Sequence, residues 1–333
     1  LTASQPHPIL PLLETALVPR LPLLDSRHEG AVRLFNGFYE GEPNLVVDLY
    51  ARTLLIFNHA DPPAQAHEAI EATQAFFLSQ LPWLQAVVLK TRHDETLEAR
   101  RGVLIYGIKP DNRLREHGIL YAIDLLLSQD AGLYLDMRGF RQWALRGLSG
   151  KTVLNAFAYT GSLGVAAKAG GASRVVQLDR SRKFLNVAKA SFTLNGFPIH
   201  KPDFQAVDFW TQTSRMRRNG ERFDCVFLDP PFFSLTSKGR VDLATDSARL
   251  INKARPLVSP GGYLVAVNNA LFVSGSDYMA KLDKLCADGY LSIEELIPVP
   301  ADVTGYPQTI RRPPPADPAP FNHSTKIAIL RVK

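Results

Sequence analysis

The chain has 333 residues, 46% apolar and 21% charged, which is ordinary for a folded globular protein and long enough for two cored domains. No apolar run approaches the ~20 residues of a membrane span, no signal peptide heads the chain, and Cys225 and Cys286 lack metal-ligand spacing. The net charge of +6 is uneven, with 11 Lys/Arg against 13 Asp/Glu in residues 1–115 and 27 against 19 in residues 116–333, so the second half is where a polyanion would dock. A reduced, cytoplasmic protein with no membrane partner and no bound metal is therefore expected.

In chain order, prolines at positions 6, 8, 11, 19 and 22 exclude a long helix from residues 1–30 and predict a Pro/Leu-rich arm packed on the surface. Val32–Phe38, Leu45–Tyr50 and Thr53–Phe57 read as strands, and Gln65–Leu78 as a helix with Ala66, Ala69, Ile70, Thr73, Phe76 and Phe77 on its buried stripe. Ala86–Lys90 and Val103–Ile108 complete a small α/β domain over residues 31–115, with 91–101 a charged loop or exposed edge. Gly118–Leu126 and Gly132–Asp136 predict a hairpin leading into a second domain, 116–333. There Met137–Leu148 is a helix on which Arg138 and Arg141 share a face, by spacing alone a solvated one.

The second domain is organised around V-L-N-A-F-A-Y-T-G-S-L (153–163), a strand, a tight turn and the start of helix Ser162–Ala169. Gly161 lets the backbone approach a ligand, and the helix start behind it offers free N–H groups. Strand Val175–Asp179 ends in a carboxylate at the distance where a ribose is held by its hydroxyls. Helix Ser181–Leu194 begins at a Ser181 N-cap and stops at Asn195-Gly196. Phe204–Asp208 follows, then a basic surface turn at 215–222 (R-M-R-R-N-G-E-R). Strand Cys225–Leu228 runs into Asp229-Pro230-Pro231-Phe232. Ala244–Leu257 is a helix stopped by Ser259–Gly262, Tyr263–Asn268 a strand, Tyr278–Ala287 a helix, and Ser292–Leu296 and Ile327–Val332 the last strands around an extended loop at 311–320. The ensemble predicts an open α/β sheet binding an adenosyl ligand across the carboxyl ends of its strands.

Residues 116–333 resemble the class I S-adenosylmethionine-dependent methyltransferases that modify bacterial large-subunit ribosomal RNA. The resemblance lies in 118–141 (G-I-L-Y-A-I-D-L-L-L-S-Q-D-A-G-L-Y-L-D-M-R-G-F-R), N-A-F-A-Y-T-G (155–161), Q-L-D (177–179), A-V-D-F (206–209) and D-P-P-F-F (229–233), with G-E-P-N-L-V-V-D-L-Y (41–50) matching the family's small domain more weakly. It implies a Rossmann-like seven-stranded sheet behind a smaller N-terminal α/β domain, S-adenosyl-L-methionine as cofactor, and 23S rRNA as partner. It carries cofactor contacts onto Asn155, Phe157, Tyr159, Thr160, Gly161, Asp179, Asp208 and Asp229, with Arg138 and Arg141 toward the methionine carboxylate. The family's RNA-binding module is not evident, and the chain begins with Leu1, so a preceding piece is expected. Oligomeric state, a homodimer included, stays open.

The same resemblance places the methyl near Asp229 and Pro230, with Phe232 and Phe233 stacking on the target base or filling core. Cytosine-C5 members of the family carry a Cys after the strand equivalent to Tyr263–Val267; this chain has Asn268 and Asn269 there, as the guanine-N7 branch does. Guanine N7, reached without covalent activation, is thus favoured over cytosine C5 or a base amino group, with the two amides reading the base edge. An NAD-dependent Rossmann oxidoreductase would use the same sheet but needs G-x-G-x-x-G, which is missing. A non-catalytic RNA-binding protein would have no use for three ligand carboxylates.

Overall fold

The computed structural model describes residues 7–236 and 239–333. The chain divides into two compact units, Leu1–Leu135 with Pro300–Pro313, and Asp136–Val299 with Pro314–Lys333. The first six residues of the expected arm, with the proline at position 6, lie outside the described residues.

In the first unit the arm is divided: residues 9–17 enter the core, whereas 21–30 stay largely at the surface as expected. Ile9, Leu13, Ala16 and Leu17 recur at helical spacing and are buried along α1 (Leu10–Leu17). Its Pro11 sits in the first turn, where a missing N–H removes no hydrogen bond, and a 3-10 turn, Val18–Leu23, takes up Pro19 and Pro22. A five-stranded sheet follows in the order β1 (Ala31–Asn36), β2 (Leu45–Tyr50), β3 (Thr53–Asn58), β4 (Ala86–Thr91), β5 (Val103–Gly107). The expected first strand stops two residues early, because α2 (Gly37–Glu40) turns back and offers its Glu40 carboxylate to the Asn36 N–H at 2.7 Å. Only β3 and β4 pair in parallel, and α3 (His67–Gln80) supplies the crossover that a parallel pair demands. All six residues of the predicted stripe, Ala66 to Phe77, are buried. The segment expected as loop, 91–101, contains α4 (Leu97–Arg101), capped by Thr96 Oγ1, which accepts from the Ala99 N–H at 3.2 Å.

The predicted hairpin is misplaced. The paired strands are β6 (Arg113–Glu116) and β7 (Ile119–Ala122), joined by a two-residue turn whose His117 and Gly118 both have positive φ, 50° and 83°. Residues 116–135, expected in the second domain, group with the first unit. Arg115 holds Glu29 at 2.8 Å, and the Tyr50 hydroxyl donates to the Leu133 carbonyl at 2.9 Å. Residues 300–313 return to it through the buried Arg20, which pairs with Glu40 at 2.9 Å and donates to the Asp302 carbonyl at 2.9 Å.

The second unit opens with α5 (Arg138–Gly147) and then alternates strand and helix. Its elements are β8 (Thr152–Ala156), α6 (Ser162–Ala169), β9 (Arg174–Asp179), α7 (Arg182–Leu194), β10 (Phe204–Ala206), α8 (Phe209–Arg218) and β11 (Phe223–Leu228). A small hairpin, β12 (Phe233–Thr236) with β13 (Gly239–Asp242), leads to α9 (Ser247–Ala254), β14 (Val258–Asn268), α10 (Gly275–Cys286), β15 (Leu291–Ile297) and β16 (Lys326–Val332). The basic stretch expected as a surface turn is, through Arg218, the last turns of α8. Ser259–Gly262, expected to stop a helix, is taken into β14 at a register shift opposite Phe223 and Cys225.

The sheet runs β10-β9-β8-β11-β14-β16-β15, with β16 antiparallel to both neighbours and the other pairs parallel. This is the expected seven-stranded, Rossmann-like α/β sheet. Val153, Leu154, Val226 and Phe227 on its central strands are wholly buried, each contributing on the order of 1.5–3 kcal/mol. The chain steps outward from β8 to β9 and β10, then crosses back to β11 on the other side of β8. At such a reversal the helices on either side diverge and leave a crevice at the carboxyl ends of the strands. Among the described residues no helix is long and apolar enough to cross a membrane.

Candidate active site

The turn between β8 and α6 forms one wall of that crevice. Phe157 and Tyr159 both adopt left-handed backbone, at φ 59° and 51°, which costs non-glycine residues on the order of 1–3 kcal/mol each. Among the hydrogen bonds that hold the turn are Ala158 N–H to the Leu178 carbonyl at 2.9 Å, Gly161 N–H to the Ala158 carbonyl at 2.7 Å, and Tyr159 N–H to Asp179 Oδ2 at 2.9 Å. Gly161 is required for two reasons. Its φ is 77°, and a β-carbon there would lie 2.5 Å from the Ala188 methyl.

Asn155, expected to touch the cofactor, is buried beneath this turn. Its Nδ2 donates to Gln177 Oε1 at 2.8 Å, and Gln177 Nε2 donates onward to the Gly161 carbonyl at 3.2 Å. The Asn155 side chain therefore supports the turn from below. Gln177, the first residue of the Q-L-D motif, is thus a prop for the turn, and no local signal in the sequence distinguishes such a prop from ordinary strand filling. Thr160 is likewise buried, while Tyr159 and Phe157 are half-buried. The Phe157 ring stacks on Phe209 at 4.7 Å, and Tyr159 meets Phe184 edge-on at 4.4 Å.

Asp179 closes the next strand end. Its Oδ1 accepts from the Ser181 N–H at 2.7 Å while Oδ2 holds Tyr159. Burial raises its carboxyl above the usual range, against the opposing pull of those two amides. Asp208, expected beside an adenine amino group, caps α8: its Oδ1 accepts from the Trp210 and Thr211 N–H groups at 3.0 and 3.2 Å. One carboxylate oxygen is thus committed to the helix, and the other has no donor among the described residues.

The opposite wall is the exit of β11. Asp229 is partly exposed and has no hydrogen-bond donor among the described residues. Burial, with the Asp136 carboxylate nearby, pushes its carboxyl up to about 8. Asp136 itself accepts from the Thr325 hydroxyl at 2.7 Å. Pro230 is buried, whereas Phe232, Phe233 and Leu235 are about half exposed or more. On the neighbouring strand exit Leu271 and Phe272 are also exposed, so an apolar rim flanks Asp229. The last two residues escaped the sequence reading because nothing marks them before β11 and β14 are known to be adjacent.

The two asparagines at the end of β14 part company. Asn268 is wholly buried; its Nδ2 donates to the Leu243 carbonyl at 3.1 Å and its Oδ1 accepts from the Ala270 N–H at 3.0 Å. With both amide atoms used it cannot read a base, and the expectation for it is corrected on that ground. Asn269 is half-buried, and its Oδ1 is enclosed without a donor among the described residues. On α5, Arg141 is fully buried and Arg138 half-buried, so they do not form the solvated basic face their spacing suggests. Cys225 lies buried in the central strand β11, where burial raises its thiol well above the ordinary value. Burial also raises the Cys286 thiol, on α10.

The donor and acceptor set suits a cationic adenosyl ligand such as S-adenosylmethionine. Asp229 and Asn269 present acceptors that lack partners, and Asp179 keeps lone pairs free at a strand end. Comparison with known proteins points the same way. A family model described as S-adenosylmethionine-dependent methyltransferase matches residues 75–301. The chain is 33% identical over 250 residues to ribosomal RNA large subunit methyltransferase I of Photobacterium profundum, covering 72% of this chain and 62% of that protein. It is 32% identical over 255 residues to ribosomal RNA large subunit methyltransferase K/L of Colwellia psychrerythraea, covering 74% of this chain and 35% of that protein. The chain thus spans less than two thirds of the length of either. Among solved structures, that of SMU.776 complexed with SAH superposes with a TM-score of 0.82 over 97% of this chain and 80% of the other, at 22% identity, a likeness of fold.

Proposed function

Since the chain belongs to the S-adenosylmethionine-dependent methyltransferase family, we propose that it methylates a base of large-subunit (23S) ribosomal RNA, with guanine N7 as the acceptor. The observation that carries this reading is the uncompensated carboxyl of Asp229 at the exit of β11, flanked in sequence by the exposed rings of Phe232 and Phe233, which have the flat apolar faces a base stacks on. S-adenosylmethionine supplies, when bound, an electrophilic methyl group on a cationic sulfur.

This chain's residues do the rest by placement. Asp179 accepts from ribose hydroxyls at the end of β9, and Asp208 offers its uncommitted oxygen to the adenine amino group. Phe157 and Tyr159, fixed in strained backbone over the Asn155–Gln177 prop, shape that wall of the crevice, with Thr160 and Gly161 leading into α6. Arg138, half-buried on α5, pairs with the methionine carboxylate, whereas the fully buried Arg141 is not presented to it, and Asp229 accepts from the ammonium. Phe232 and Phe233 stack on the base and exclude water. Guanine N7 has a lone pair and no proton, so neither a general base nor a thiolate is needed. The cytosine-C5 route needs a thiolate at the base; Cys225 is wholly buried in β11, and Cys286, half-buried on α10, has its thiol raised by burial and by the Asp283 and Asp288 carboxylates. A base amino group is the second reading, favoured by the enclosed Asn269 Oδ1, which could accept its N–H.

Nucleoside mass spectrometry of 23S rRNA from a deletion strain tests the proposal. Loss of one 7-methylguanosine, restored by the purified protein with labelled cofactor, is expected. Loss of 5-methylcytidine, or no change in any rRNA nucleoside, would overturn it.

A further inference from the structure

Helices α8 and α9 enclose a surface groove of about 980 Å³ that the reaction does not use. Its walls carry Arg217, Arg218, Arg249 and Lys253 and no carboxylate. Basic helical surfaces are usually interleaved with acids, and four cations in one concavity without one is a different arrangement. Among the described residues none of the four makes an ion pair. Two are held in place: the Arg249 guanidinium lies over the Trp210 ring at 4.6 Å, and Lys253 Nζ donates to Ser214 Oγ at 2.6 Å. Fixing such side chains in advance lowers the entropy lost when a ligand engages them. Trp210 lines the groove and is nine-tenths buried, yet its indole N–H has no acceptor among the described residues. A buried donor beside four cations wants an anionic acceptor.

We propose that this groove docks the phosphodiester backbone of the RNA substrate, at a distance from the nucleotide that is modified. The proposal rests on the rRNA reading above. Residues 210, 214, 217 and 218 share one face of α8, from its start beside Asp208 at the cofactor edge of the sheet to its far end. They span roughly 12 Å at 1.5 Å per residue, enough to meet successive phosphates of one strand. A strand bound there would lead from the crevice down the flank of the sheet.

The test uses the full chain and unmodified 23S rRNA from a deletion strain, with affinity measured across a salt series. R217E/R218E/R249E should bind at least tenfold more weakly at low salt, and its log–log salt slope should flatten by about 2, at ~0.7 per phosphate lost. Its S-adenosylhomocysteine affinity and melting temperature should stay at the wild-type values. R217Q/R218Q/R249Q, which keeps the side-chain bulk, should fall between and decides the matter if the reversed variant does not fold. Wild-type affinity and slope in a folded variant overturn the groove while leaving the rRNA reading intact. No RNA binding by the wild type overturns both. Polyglutamate binding that is lost in the variants while RNA binding is kept would give the groove to an acidic protein and overturn the proposal.

Discussion

Two carboxylates stand at neighbouring strand ends and are treated oppositely. Asp179 is built into its surroundings, with a backbone amide on each oxygen, and so helps hold the turn whose shape the crevice needs. Asp229 has no donor among the described residues, faces a second carboxylate, and is driven up to about 8. The first is a structural part that a ligand can also use. The second is costly to ionise until a cation arrives, so its environment makes sense only with one. The comparison separates groups that fold the site from groups that wait for its ligand, and each of the following substitutions presses on that line.

The largest effect on ligand affinity should come from Asp229→Ala. Loss of a charge-assisted hydrogen bond in an enclosed site, on the order of 1.5–3 kcal/mol, should weaken S-adenosylhomocysteine by about 10- to 150-fold in calorimetry. The protein itself should not lose stability at neutral pH. A carboxyl raised from its unfolded value makes the folded state bind more protons, so stability falls as pH rises from about 4 to about 8 and then levels. Asp229→Asn should remove that slope from thermal melts; an unchanged slope would assign it elsewhere.

Asp179→Ala should cost both properties at once. Affinity should fall by about 10- to 30-fold, and the melting temperature should drop as the Tyr159 and Ser181 amides lose their acceptor. Gly161→Ala should act through the fold first, by about 2–4 kcal/mol, since the left-handed φ and the 2.5 Å approach to Ala188 must both be relieved. Denaturant titration reads that loss, and wild-type stability would show the turn to be looser than described.

The asparagines give the smallest and finest cut. Asn268→Ala should destabilise by about 1–3 kcal/mol with turnover per folded molecule kept. Asn269→Ala should lower the rate by about 10-fold with little change in melting temperature. An exchange of these two outcomes would restore the expectation drawn from sequence.

Most of the second unit was legible because its strands are short apolar runs ending in the residues that matter: Ala156 before the turn, Asp179, and Leu228 before Asp229. What the sequence hid is long-range. The prolines of the arm read as surface until the helical spacing of Ile9, Leu13 and Leu17 met a core. The unit boundary depends on Arg20 reaching Asp302, which no local pattern records. The hairpin is shifted because Gly118, which reads as the start of a strand, forms with His117 a turn in which both have positive φ. Asn268 and Asn269 are indistinguishable as a pair, and only opposite sides of one strand end separate them.

The central claim, that Asp229 is held for a cationic ligand, has a direct measurement. Calorimetry of S-adenosylhomocysteine binding at pH 7, repeated in buffers of different ionisation enthalpy, counts the protons exchanged. A carboxyl near 8 is mostly protonated before binding and ionised beside an ammonium, so about one proton should be released per ligand. That release should vanish in Asp229→Asn. Binding with no proton released, or with the same release in Asp229→Asn, would contradict the account.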